Sequence, residues 1–347
     1  MTKERVALVL GATGGIGGET VAALLARGWK VRALHRKAGA GAQPPGLEAV
    51  EWVRGDAMRT EDVAQAARGA RLIVHAVNPP GYRDWDKLVL PMLENSLQAA
   101  RAADARLVLP GTIYNYGHDA FPVLKEDSPQ HPHTRKGQLR VAMEHRLEEE
   151  AARGARVLIV RAGDFFGPRA GNNWFSQGLV KPGARPRTIT DPNDPGIGHA
   201  WAYLPDLAAT LAALAEREEE LPPFARFHFA GHWLEDGGEM ARSIQRVLGS
   251  PSPSIRRMPW TLLRLAAPFN VTLRELLEMR YLWQTPVRLD NTRLLAFLGK
   301  EPHTPLDVAV RTTLQGLGSA EHSNQGTDDF RRQAASTQRR TSFSETS

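Results

Sequence analysis

Three glycines stand at a fixed stride in Val6–Gly18, VALVLGATGGIGG: Gly11, Gly14 and Gly17. Five apolar residues run into them, and Val21, Leu24 and Leu25 follow at helical spacing. A strand leading to a glycine turn, with a helix opening directly behind it, is built to hold phosphate. Glycines let the backbone come close to the anion, and the first helical turn offers unpaired N–H groups and a partial positive charge. Thr13, Gly15 and Ile16 of the same turn would line that site. The spacing is G-x-x-G-x-x-G rather than G-x-G-x-x-G, and its place between strand and helix gives it weight.

The elements that must position this turn alternate along the chain. Strands are expected at Lys30–Leu34, Val50–Val53, Leu72–Val77, Arg106–Leu109 and Arg156–Val160, with long helices near Trp85–Ala103 and Thr134–Arg153. Alternation at these lengths specifies an α/β fold, a doubly wound parallel sheet of Rossmann type. Residues 1–230 are read as the dinucleotide-binding domain, with Gly-, Pro-, Asn- and Trp-rich loops over the site at 163–200. Residues 231–318 are read as a smaller, mainly helical subdomain, and the polar stretch 319–347 as a disordered tail.

Ligands of such sheets lie beyond the carboxyl ends of the strands. The second strand ends in His35, Arg36 and Lys37, with no acid. An NAD(H) site places Asp or Glu there for the adenosine ribose, whereas a 2′-phosphate is met by a forked guanidinium. Arg36 therefore favours NADP(H) over NAD(H). Asp56 and Ala57 follow the third strand, where Asp56 could accept from the adenine amino group, and Ala76 and Asn78 follow the fourth, near the ribose. His75 beside them reads as a packed histidine.

GATGGIGG, GDAM, LIVHAV, RAGDFFGP and YLPDLA, in that order over residues 5–230, resemble the atypical or extended short-chain dehydrogenase/reductases. These are NAD(P)-dependent epimerases, dehydratases and reductases. The resemblance implies hydride transfer on a small oxygenated organic substrate, with a Ser/Thr, a Tyr and a Lys as the catalytic set. Thr112 in LPGTIYNYG falls on the Ser/Thr position. Counting from Glu144, the family's Tyr and Lys should fall at 136 and 140, but the chain has Lys136 and Arg140. Three accounts stay open. Lys136 is the acid/base, as in the phenylpropanoid reductase branch, with Arg140 beside it; Tyr114 or Tyr116 supplies the phenol from the preceding loop; or the protein is a non-catalytic NADP(H)-sensing regulator or scaffold. Lys136, Arg140, Glu144 and Glu148 also have the i, i+4 spacing of a solvated helix face. Asp164, Asn172, Asn173 and Trp174 are expected to face the substrate.

The remaining composition narrows the partners. Among 347 residues there are 44 Lys+Arg, 38 Asp+Glu and no cysteine, so thiolate metal sites and cysteine nucleophiles are excluded. Basic residues are scattered rather than striped, which argues against nucleic acid. His131 and His133 have metal-like spacing without further ligands, so no metal site is expected. Leu262, Leu263, Leu265, Leu276, Leu277 and Met279 suggest a membrane-surface helix, but acids interrupt that face, and packing over the cofactor domain is preferred. No signal peptide, membrane partner or spanning segment is expected, and the location expected is cytoplasmic. A homodimer through the helices near 85–103 and 134–153 is the expected assembly.

Overall fold

Seven short, apolar-rich runs form one parallel sheet in the computed structural model, which describes residues 4–39, 46–79, 85–169 and 173–320. They are β1 (Val6–Leu10), β2 (Lys30–His35), β3 (Glu51–Arg54), β4 (Leu72–His75), β5 (Arg106–Thr112), β6 (Arg156–Ala162) and β7 (Phe224–Phe229). Their spatial order is β3-β2-β1-β4-β5-β6-β7, and all neighbours run parallel. Helices α1 (Gly15–Ala26), α2 (Thr60–Ala66), α3 (Trp85–Ala103), α4 (Arg135–Ala152) and α5 (Leu204–Glu216) cover the two faces. Alternation along β1 divides the core. Ala7 and Val9 pack with α1 and α5 through Val21, Leu24, Leu207 and Leu211, while Leu8 and Leu10 pack with α2, α3 and α4 through Val63, Leu93 and Leu147. The Rossmann expectation is met. Its long helices fall where the sequence put them, with Thr134 capping α4 by accepting from Gly137 N at 3.0 Å.

Beyond β6 the chain builds a third core, around Phe166, Trp201, Trp283, Ile244 and Leu314. Helices α6 (Glu239–Leu248), α7 (Trp260–Ala266), α8 (Val271–Glu278) and α10 (Leu306–Gly316) supply part of it, whereas α9 (Thr292–Leu298) packs through Leu294 into the core that contains α1 and α5. The reading of 163–200 as loops is corrected in part. Asp164–Phe166 and Thr188–Asp191 are strands, and His199 begins another, His199–Tyr203. At three to five residues each, they are too short for alternation to show in the sequence. Pairing also crosses residue 230: His199–Tyr203 pairs with His232–Leu234, Thr188–Asp191 with Ser254–Arg257, and Val123–Leu124 with Arg288–Leu289. The tail assigned to 319–347 lies outside the described residues from 321 onward.

A buried polar cluster ties the sheet to this third core. Arg161 on β6 is fully buried, and its Nε donates to Glu144 Oε1 of α4 at 2.9 Å. Gly111 lies directly across from Arg161 on β5, where a Cβ would meet the Arg161 Cγ at 2.9 Å. Arg161 also donates to the Tyr116 hydroxyl, which lies 2.8 Å from His228 Nε2 and 3.1 Å from Lys125 O. Tyr116 is thus fully enclosed by structural partners rather than facing a cleft, and burial pushes its phenol well up. The solvated-face reading of α4 is also overturned: Lys136 and Glu144 are buried and only Glu148 is exposed.

Two buried histidines are held neutral. Burial, with Arg140 adding to it, pushes His75 down to about 3, and burial with Arg161 does the same to His228. The unfolded chain takes up these protons near the ordinary value of 6.5 while the folded chain does not, so stability falls as pH drops below that value. Urea denaturation should show a loss of roughly 3 kcal/mol from the two together between pH 6.5 and about pH 5. A midpoint that stays flat over that range would contradict their buried, neutral state.

Candidate functional site

At the carboxyl ends of β1–β4 the glycine turn is forced by close approach. Gly11 has φ +86°, and a Cβ there would lie 2.4 Å from the Ala76 carbonyl oxygen at the end of β4. A Cβ on Gly17 would lie 2.1 Å from Gly11 O. Gly14 N donates to Gly11 O at 2.9 Å, and no side chain caps α1, which leaves its N-terminus open to an anion. The turn borders a cleft of about 560 Å³, a size usual for ligand sites. Gly11, Thr13, Gly14, Gly15 and Ile16 line it from the turn, Arg36 and Asp56–Met58 from beyond the ends of β2 and β3, and Ala76–Pro79 from beyond the end of β4. Gly17 backs the turn from inside. Arg36 is exposed and makes no hydrogen bond or ion pair among the described residues. Asp56 Oδ1 accepts from Met58 N at 3.0 Å, so its carboxylate also shapes the loop.

A recess of about 100 Å³ opens off this cleft, sharing Asn78, Phe165 and Asn173 with it. Thr112, Tyr114, Arg140 and Asp164 converge there, walled by Trp85, Trp174 and Leu276. The Tyr114 hydroxyl donates to Asp164 Oδ1 at 3.3 Å. Asp164 Oδ2 lies 2.8 Å from His199 Nε2, and His199 Nδ1 faces Leu282 O at 3.3 Å. The imidazole stacks on Trp283, with centroids 3.7 Å apart and planes at 9°. Both its nitrogens thus face oxygens, which holds the ring in place behind Asp164 and Tyr114. The Arg140 guanidinium sits 5.3 Å over the Trp85 ring.

The profile of a family described as NAD(P)H-binding matches residues 11–171. The chain is similar to sterol demethylase protein B of Methylococcus capsulatus, 34% identical over 173 residues, which is 46% of this chain and 52% of that protein. It is similar to a 3-diazoavenalumate denitrifying reductase of a Streptomyces species, 34% identical over 181 residues, 47% of this chain and 57% of that protein. The chain thus spans about half the length of these curated relatives. Thermus thermophilus UDP-glucose 4-epimerase, solved with NAD, has a TM-score of 0.66 at 20% identity, covering 91% of this chain and 100% of that one. Bacillus cereus UDP-N-acetylglucosamine 4-epimerase gives 0.68 at 15% identity over 92% and 99%. These two share the fold.

Of the other candidate residues, Asn173 and Trp174 also line the recess and Lys136 does not. Lys136 is buried outside the recess lining, its Nζ 3.3 Å from Glu278 Oε2 of α8. Asn173 caps the following turn, its Oδ1 accepting from Ser176 N at 2.8 Å, and Trp174 packs against Trp283. Asn172 lies outside the described residues. Among the described residues no group of His, Asp and Glu is arranged for a metal; His131 bonds Asp119 at 2.8 Å and His133 stacks on His118. Two residues escaped the sequence reading. His199 sits in an apolar strand with no local motif, and Asn95 of α3 donates to Ala57 O at 2.9 Å, holding the loop after β3. A lone amide on the largely apolar inner face of α3 was the only signal for Asn95.

The glycine turn yields a direct test. Gly17→Val should weaken NADPH binding at least about tenfold, since its side chain has nowhere to go except into the Gly11 backbone. Fluorescence titration of NADPH, with circular dichroism to verify the fold, measures this.

Proposed function

We propose that the protein is an NADP(H)-dependent oxidoreductase or epimerase/dehydratase-like enzyme that moves hydride to or from a small oxygenated organic substrate. The observation that carries the reading is the convergence of Thr112, Tyr114, Arg140 and Asp164 on a recess opening from the dinucleotide cleft. The glycine cradle and the open α1 N-terminus fit a pyrophosphate, and Arg36 fits a 2′-phosphate. When bound, the nicotinamide ring supplies or receives the hydride.

Tyr114 takes the role that the usual helix tyrosine has in relatives of this type. Its hydroxyl gives a proton to the substrate oxygen, or takes one from it, while Asp164 holds the phenol and His199 backs Asp164. Thr112 Oγ1 accepts from Tyr114 N at 3.3 Å, which fixes the loop and leaves the Thr112 hydroxyl proton for the substrate oxygen. Arg140 adds positive charge beside the developing oxyanion. Lys136 fastens α4 to α8 through Glu278. The recess admits the reacting end of a substrate, and the rest extends into the wider cleft. The assembly proposed is a homodimer through α3 and α4, which Arg146–Glu94 and Arg101–Glu150 hold side by side.

Arg36→Ala should weaken NADPH binding about tenfold, near 1.4 kcal/mol, and leave NADH binding almost unchanged. Equal losses would remove Arg36 from the 2′-phosphate. For the chemistry, NADPH oxidation is followed against a panel of ketones, aldehydes and nucleotide sugars. Tyr114→Phe should lower kcat by about 10²–10⁴ at unchanged NADPH affinity. Full activity in Tyr114→Phe with none in Lys136→Met would return the acid/base role to Lys136, and binding without any turnover would favour the sensor.

A further inference from the structure

One strip of this chain gathers arginine without acid. Residues 240–274 contain six arginines and no Asp or Glu. Arg242 and Arg246 pair with Asp236, Glu239 and Asp307. Arg256, Arg257, Arg264 and Arg274 are exposed and make no ion pair among the described residues.

The same strip carries the three most exposed large apolar side chains of the described residues. Leu262 is 64% exposed, Leu265 69% and Phe269 92%. Their spacing of three and four places them along one stripe of α7 and the 3₁₀ turn Ala267–Phe269 that continues it. The element is anchored from beneath. Trp260 is buried, donates its indole N–H to Pro192 O at 3.1 Å, and lies under the Arg280 guanidinium at 5.2 Å. The acids that interrupt the leucine-rich sequence belong to α8, and Glu278 turns inward to Lys136. The exposed residues of α7 thus include Leu262, Leu265 and Arg264 and no acid.

We propose that α7 and its turn dock on the surface of an anionic lipid bilayer, with Leu262, Leu265 and Phe269 entering the interface and the arginines meeting lipid phosphates. A contiguous exposed apolar stripe on a stable element marks an interaction surface. Apolar side chains flanked by unpaired guanidiniums suit the boundary between acyl chains and anionic headgroups. A second copy suits it poorly, because two-fold pairing would set the same unneutralised arginine strip against itself. No helix among the described residues is long and apolar enough to cross a membrane, so the attachment is peripheral. The neighbouring α8 contributes Leu276 to the recess, which places the docked surface one helix away from it. The inference stands independently of the reaction proposed above.

The full-length protein is sedimented with phosphatidylcholine vesicles, with and without phosphatidylglycerol. Binding should rise about tenfold or more with the anionic lipid and fall as salt is added. The variant Leu262→Ser/Leu265→Ser/Phe269→Ser should lose binding, and Arg256→Gln/Arg257→Gln/Arg264→Gln should lose the anionic preference, while both keep the wild-type circular dichroism and NADPH affinity. The proposal is overturned if the wild-type protein pellets with neither vesicle or if neither variant changes pelleting. It is also overturned if light scattering shows a dimer that the serine variant dissolves and vesicles do not bind.

Discussion

Three stretches of backbone meet at a point where no side chain fits. The end of β1, the end of β4 and the first turn of α1 approach so closely that Gly11 and Gly17 must lack a Cβ. This constraint sets the crossing of β1 and β4, the entry of α1 and the open helix N-terminus together. The cleft that runs along the strand ends is a consequence of it, because β2, β3 and β4 take their register from β1 or its neighbours. An anion-binding geometry thus follows from steric exclusion in the backbone rather than from charged side chains.

The groups proposed for acid/base work arise by a different route. In place of a tyrosine on α4, the structure gathers Thr112 and Tyr114 from the end of β5 and the loop after it, Asp164 from a short strand after β6, and His199 from the strand paired with it. Asp164 joins the two halves of this arrangement, accepting from Tyr114 through one oxygen and facing His199 through the other. The stacking of His199 on Trp283 fixes the ring plane, so the orientation of Asp164 depends on the third core and not on the sheet alone.

What was legible in the sequence follows from the distance over which each requirement acts. The glycine turn and Arg36 at a strand end are set by residues within a few positions, and their types carry the information. Lys136 and Glu278 are 142 residues apart, and Asp164 and His199 are 35 apart. Nothing local marks either pair. The helix-face spacing of Lys136, Arg140, Glu144 and Glu148 even suggested solvent, because periodicity reports which residues share a face but not what lies against it. Arg161 was hidden likewise, its room made by Gly111 on a neighbouring strand.

The contact between Lys136 and Glu278 has a mechanical consequence. It fastens α4 to α8, the helix whose Leu276 lines the recess. A neutral side chain at 136 would strand the Glu278 carboxylate without its cation and loosen that wall. The shape of the recess therefore depends on a charge pair that lies outside its lining.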